Sequence, residues 1–199
     1  RARNLPGFWD YWRERYGNFY ALPEGGGGLP GALGCAALPA LVREQLPSLG
    51  WTDYDGWWLA VGTGTTLAGL LLAEAGAHPV YGALAVPAAY GAQQQIQAIL
   101  QAAGVADRGY QLLEACRGGF ARFDEALLAF MHASESASGV PLEPVYTAKA
   151  LMALRQQVEA GYFAPGSRLL FVHTGGLQGR RAAVRQQTGS TPAAGYTDF

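Results

Sequence analysis

Three threonine hydroxyls and two glycines lie in six consecutive residues, Val61-Gly62-Thr63-Gly64-Thr65-Thr66. The segment leaves an apolar run and opens a helical pattern. Glycine lets a backbone turn tightly and come close to an anion, and a helix start offers free N–H groups at the positive end of its dipole. Phosphate binding is therefore the chemistry of this loop, and an ordinary tight strand-to-helix turn is the plain alternative. The Gly-Lys-Ser/Thr ending of a P-loop and the third glycine of a dinucleotide fingerprint are both lacking. A second group is Tyr146-Thr147-Ala148-Lys149, which holds the one lysine of the chain. A lysine amine can condense with a carbonyl compound when its pKa is lowered; a solvated or ion-paired lysine is the commoner role. The third group, His173-Thr174-Gly175-Gly176, stands at the end of an apolar run. A histidine there is usually a packing residue. His78, His132 and His173 lack the spacing of a metal site, and no metal is expected. Cys35 and Cys116 lie outside any CxxC, as inert buried thiols do.

Alternating strands and helices position these groups. Phe8 to Tyr20 is aromatic-rich and reads as a short helix with its apolar side packed. Glu24 to Gly28 is a glycine loop. Leu38, Leu41, Val42 and Gln45 recur at helical spacing. Trp57 to Val61 is a continuous apolar run, the signature of a strand buried on both faces. A helix over Thr65 to Ala75 and a strand over Pro79 to Val86 follow. Ile96, Ile99, Leu100 and Ala103 mark a helix closed by Gly104. Tyr110 to Leu113 is a third strand, and Asp124 caps a helix to about Ala133. Tyr146 to Gly161 is helical, and Arg168 to His173 is the last strand. Such alternation predicts an α/β domain with a mainly parallel twisted sheet and helices on both faces. Ligands of such sheets sit beyond the carboxyl ends of the strands, which puts the Gly62 and Gly175 loops at one edge. One α/β domain over 1–186 and a Thr-, Gly- and Pro-rich tail over 187–199 are expected.

Bulk properties narrow the partners. The chain has 199 residues, half of them apolar, and a net charge of -1 without a cationic run. Nucleic acid and anionic membrane surfaces are not favoured partners. No apolar stretch is long enough to span a bilayer, and two isolated cysteines fit a reducing, cytoplasmic compartment.

The ordered set Leu22-Pro23-Glu24-Gly25-Gly26, Gly62-Thr63-Gly64-Thr65-Thr66-Leu67-Ala68-Gly69-Leu70, Glu143-Pro144-Val145-Tyr146-Thr147-Ala148-Lys149 and His173-Thr174-Gly175-Gly176 resembles the carboxyl-terminal two-thirds of the 1-aminocyclopropane-1-carboxylate deaminase and D-cysteine desulfhydrase family. Those enzymes use pyridoxal phosphate (PLP) and have the tryptophan-synthase-β type of fold. The resemblance runs from Tyr20 to Arg181. It implies that Gly62, Thr63, Gly64, Thr65 and Thr66 hold the cofactor phosphate. Thr147 would face the pyridine nitrogen, Thr174 and Gly175 would lie beside the ring, and Tyr146 would be the catalytic tyrosine near the substrate. The implied activity is a lyase or deaminase reaction on a small amino acid, with a homodimer as the usual assembly.

Departures from the family pattern are specific. The family's Schiff-base lysine follows an asparagine in an amino-terminal segment that nothing here matches, and Lys149 matches a different lysine. Phe120 stands where the family has a second active-site tyrosine. Gly28 replaces an asparagine, and Thr65 and Ala148 replace glycines. Lys149 is turned about 200° around the helix from Thr147, at about 100° per residue. This chain alone is therefore expected to bind PLP without forming a productive Schiff base. A non-catalytic PLP- or phosphate-binding relative is the alternative, and a phosphate- or nucleotide-binding α/β domain unrelated to PLP is a third reading.

Overall fold

The computed structural model describes residues 7–178 and 180. The tail expected over 187–199 lies outside the described residues. The elements run α1 (Phe8–Tyr16), α2 (Leu29–Cys35), α3 (Leu38–Gln45), β1 (Gly56–Val61), α4 (Thr65–Glu74), β2 (Val80–Leu84), α5 (Ala92–Ala102), β3 (Tyr110–Glu114), α6 (Glu125–Ser138), α7 (Thr147–Glu159) and β4 (Leu169–Val172). The four strands form one sheet in the order β3-β2-β1-β4. Every pairing is parallel, with Val61 opposite Leu84 and Leu59 opposite Val172. The carboxyl ends of β1 and β4 are thus neighbours, and the Gly62 and Gly175 loops leave the same edge.

Strand side chains alternate between faces, and the core divides accordingly. Trp57, Leu59 and Val61 of β1 pack with Leu67, Leu70 and Ile96 of α4 and α5. Trp58 and Ala60 pack on the opposite face with Ala150 and Ala153 of α7, and the Trp58 indole N–H donates to the Ala150 carbonyl at 2.8 Å. All six residues of β1 are buried, so its unbroken apolar run reports two covered faces. β4 is half-buried at the sheet's edge.

Three local expectations are corrected. α1 ends at Tyr16 and buries no residue; its aromatic rings contact each other, with Trp12 stacked on Tyr16 at 5.8 Å, rather than the core. α2 was not foreseen, because a proline and two glycines in seven residues carry little helix propensity. It is held from outside: a Cβ at Gly69 of α4 would stand 2.3 Å from the Ala32 carbonyl oxygen, so α2 lies directly on α4. α6 has the foreseen Asp124 cap, whose carboxylate accepts from the Leu127 N–H at 2.9 Å. It runs on to Ser138, beyond the expected end, and Gly139 with φ 71° closes it.

Candidate functional site

β1 hands the chain to α4 through Gly62-Thr63-Gly64. Gly64 adopts the left-handed conformation, φ 86°, and no side chain caps the first turn of α4. A Cβ on Gly64 would stand 2.5 Å from Ile96 Cγ1, so residue and conformation are both imposed by the turn. The first N–H groups of α4 remain open at the positive end of the helix dipole. The Thr63 and Thr65 hydroxyls lie 3.0 Å apart. Thr66 faces the other way, its hydroxyl accepting from the Cys35 thiol at 3.8 Å. The short turn Glu24–Gly26 folds over this loop: a Cβ on Gly25, φ 61°, would meet Thr63 Oγ1 at 2.6 Å. Open N–H groups, a hydroxyl pair and glycine backbone are the kind of donor set an oxyanion requires.

Tyr146 packs against this cradle. A Cβ on Gly62 would stand 3.1 Å from Tyr146 Cε1, with the phenol oxygen 3.7 Å away. Burial, then the charges of Glu143 and Glu24, raises the Tyr146 phenol above its usual value. At neutral pH it carries its proton and is a donor. The start of α7 is built by a residue the expected site omits. Glu143 is fully buried, and its carboxylate accepts from the backbone N–H groups of Val145 at 2.7 Å, Tyr146 at 2.7 Å and Thr147 at 2.6 Å. The sequence signal was a carboxylate just before proline at a helix entrance. Thr147 is buried, and its hydroxyl is turned back on Glu143, accepting from the Glu143 N–H at 2.9 Å and donating to its carbonyl at 3.3 Å.

The chain beyond β4 closes the other side. A Cβ on Gly176 would lie 3.4 Å from Glu143 Cγ, so this segment passes directly over the α7 entrance. His173 is a structural residue, as its position at a strand end predicts. Its Nε2–H donates to the Pro141 carbonyl at 2.8 Å, and Nδ1 accepts from the Gly175 N–H at 3.2 Å. Thr174 is exposed and Gly175 half-buried.

Lys149 is buried and, among the described residues, has no ion-pair partner, against the commoner expectation. It is 1 % exposed, and its ammonium donates to the carbonyls of Ala85 at 3.2 Å and Gly119 at 3.4 Å. Burial lowers its pKa, partly opposed by Cys116 and Glu143. Cys35 and Cys116 are free thiols and half-buried rather than buried. Phe120 is exposed on the loop after β3, with its ring 6.2 Å from that of Tyr146.

Four distant segments therefore meet at one sheet edge: Glu24–Gly26, Gly62–Thr66, Glu143–Thr147 and His173–Gly176. Comparison with known proteins finds relatives of one kind. A 1-aminocyclopropane-1-carboxylate deaminase of Burkholderia ambifaria is 29 % identical over 178 residues, 83 % of this chain and 52 % of its own length. This chain is similar to the 1-aminocyclopropane-1-carboxylate deaminases. A protein of Pyrococcus furiosus, given that name provisionally, is 27 % identical over 169 residues, 80 % of this chain and 50 % of its own length. The chain spans about half the length of the curated relatives it matches. The crystal structure of a deaminase homologue superposes with a TM-score of 0.73 at 21 % identity, over 94 % of this chain and 58 % of that one, and shares the α/β fold. No family profile matches the chain. Among the described residues no helix is long and apolar enough to cross a membrane.

Proposed function

We propose that this chain is the cofactor-holding domain of a PLP-dependent lyase or deaminase acting on a small amino acid, of the 1-aminocyclopropane-1-carboxylate deaminase or D-cysteine desulfhydrase kind. The supporting observation is the meeting of Gly25, Gly62 and Tyr146 at the uncapped start of α4. When bound, PLP supplies an electron-withdrawing ring that stabilises negative charge developing on the substrate. The open N–H groups of α4, with the Thr63 and Thr65 hydroxyls, hold the phosphate. Tyr146, protonated and packed on Gly62, donates a hydrogen bond at the rim of the cradle. Gly175 and Thr174 bound the side formed beyond β4.

The chain does not capture PLP covalently, because its one lysine is buried and spent on two backbone carbonyls. That observation also favours a second reading, a non-catalytic relative that keeps the phosphate cradle. Cytoplasmic location and a homodimer belong to the same proposal. The test is a titration of the chain with PLP, pyridoxal and inorganic phosphate, followed by borohydride and mass analysis. The expected result is PLP binding competed by phosphate, much weaker binding of pyridoxal, and no reduced adduct on Lys149. Equal affinity for PLP and pyridoxal would remove the phosphate cradle from the reading.

A further inference from the structure

Lys149 stands apart from the cradle and is unused by the function above, although a buried ammonium costs several kcal/mol unless well partnered. Its two partners belong to different segments. Ala85 follows β2 and is itself tied to β1, its N–H donating to the Val61 carbonyl at 3.1 Å. Gly119 lies in the loop between β3 and α6, with φ 141°, two residues before Ala121, a non-glycine residue with φ 54°. This loop is thus held in a backbone shape it would not choose alone. The same loop is fixed on its flank by Arg117, which pairs with Asp124 at 2.5 Å and donates to Met152 Sδ of α7 at 3.7 Å. Between these anchors the loop carries Phe120, whose ring lies beside Tyr146, which in turn packs on Gly62. An open cleft of about 150 Å³, lined by Cys116, Arg117, Lys149 and Met152 among others, runs between the start of this loop and α7.

We propose that Lys149 is a positioning residue: its ammonium clamps the β3–α6 loop to the carboxyl end of β2 and so sets Phe120 against Tyr146 at the rim of the cradle. A methionine would fill the same space. The ammonium adds a tie between two backbone segments that hydrophobic packing does not supply. The effect on ligand binding rests on the PLP reading; the clamp itself does not.

The experiment is hydrogen exchange with peptide resolution on the full chain without ligand, comparing the native chain with Lys149→Met and Lys149→Gln. Exchange over 116–123 is expected to rise about tenfold in Lys149→Met, the scale of one lost hydrogen bond to a charged group, and less in Lys149→Gln, which keeps a neutral donor. Exchange in β1 and β2 should stay unchanged. Where Lys149→Met does not fold, the Lys149→Gln comparison decides. Unchanged exchange over 116–123, or an even rise throughout the sheet, would overturn the clamp. In a second arm, Lys149→Met and Phe120→Ala should weaken PLP binding by similar factors, and the double variant by no more than either alone. Full additivity would refute the link to Phe120. Failure of the native chain to bind PLP would count against the function reading only, and the exchange result would still decide the clamp.

Discussion

Glu143→Gln changes no shape and removes one charge, so it isolates what the buried carboxylate does. One oxygen accepts from the Tyr146 and Thr147 N–H groups at 2.7 and 2.6 Å, and the other from Val145 at 2.7 Å. Hydrogen bonds to a charged acceptor contribute about 1.5–3 kcal/mol each and neutral ones about 0.5–1.5 kcal/mol. A glutamine that keeps its oxygen towards Tyr146 and Thr147 turns two charged bonds into neutral ones, a loss of about 1 kcal/mol each. Its NH2 then faces the Val145 N–H, donor against donor, and one buried N–H is left unpaired at about 1–3 kcal/mol. Relief from burying a charge offsets part of this. The net expectation is a loss of about 2–4 kcal/mol. Urea unfolding followed by tryptophan fluorescence measures it, with the slope showing whether the unfolded state has also changed. The Tyr146 phenol should also titrate lower, because the Glu143 charge is one of the causes that raise it. A stability change below about 0.5 kcal/mol, within the range of an ordinary surface substitution, would refute the assignment of Glu143 as the support of the α7 entrance.

Gly64→Ala should destabilise by about 1–3 kcal/mol, from a strained positive φ and overpacking against Ile96, and should abolish phosphate competition in the PLP titration. Thr63→Val should weaken PLP binding by about 1–3 kcal/mol, the usual loss for a hydrogen bond to a charged group; Thr66→Val, whose hydroxyl is turned to Cys35, should leave PLP affinity unchanged, and the reverse pattern would refute this assignment of the loop's hydroxyls. At the opposite end of the sheet, burial by itself would raise the Glu74 carboxyl. Hydrogen bonds from Tyr54, His78 and Trp57 outweigh that and hold it below its usual 4.5. Asp53 is held low by the Tyr54 N–H and by His78. Groups depressed in the folded state stabilise it above their unfolded pKa and cease to as pH falls through the folded value. Stability measured by urea unfolding should therefore decline below about pH 4.5, and Glu74→Gln should flatten that decline while lowering stability at neutral pH.

How much of this was legible depended on whether the signal was local. β1 announces itself because six buried residues need an unbroken apolar run, and α4 because the Gly62-Thr63-Gly64 turn leaves that run straight into an apolar helical stretch. The parallel order follows from alternation of strand and helix. α2 was illegible because its seven residues have weak propensity and are stabilised by a contact with Gly69, far away in sequence. The unpacked aromatic side of α1 was missed for the same reason. Periodicity shows that a face is apolar, but not whether anything covers it.

Two residues around α7 share a cause: Glu143, just before its start, which the expected site omits, and Lys149, expected to be solvated or ion-paired. Each is an ionisable side chain whose ordinary place is the surface, and each is buried because backbone groups elsewhere need its charge. Glu143 satisfies N–H groups that α7 cannot pair within itself, and that need is visible from the helix start once its first residue is known. Lys149 instead answers carbonyls of Ala85 and Gly119, 64 and 30 residues away, which no spacing rule reports. Helical geometry alone turned Lys149 away from Thr147. The structure adds where the amine went: toward the loop that carries Phe120, so the residue that appeared to be a misplaced catalytic lysine holds part of the site's frame.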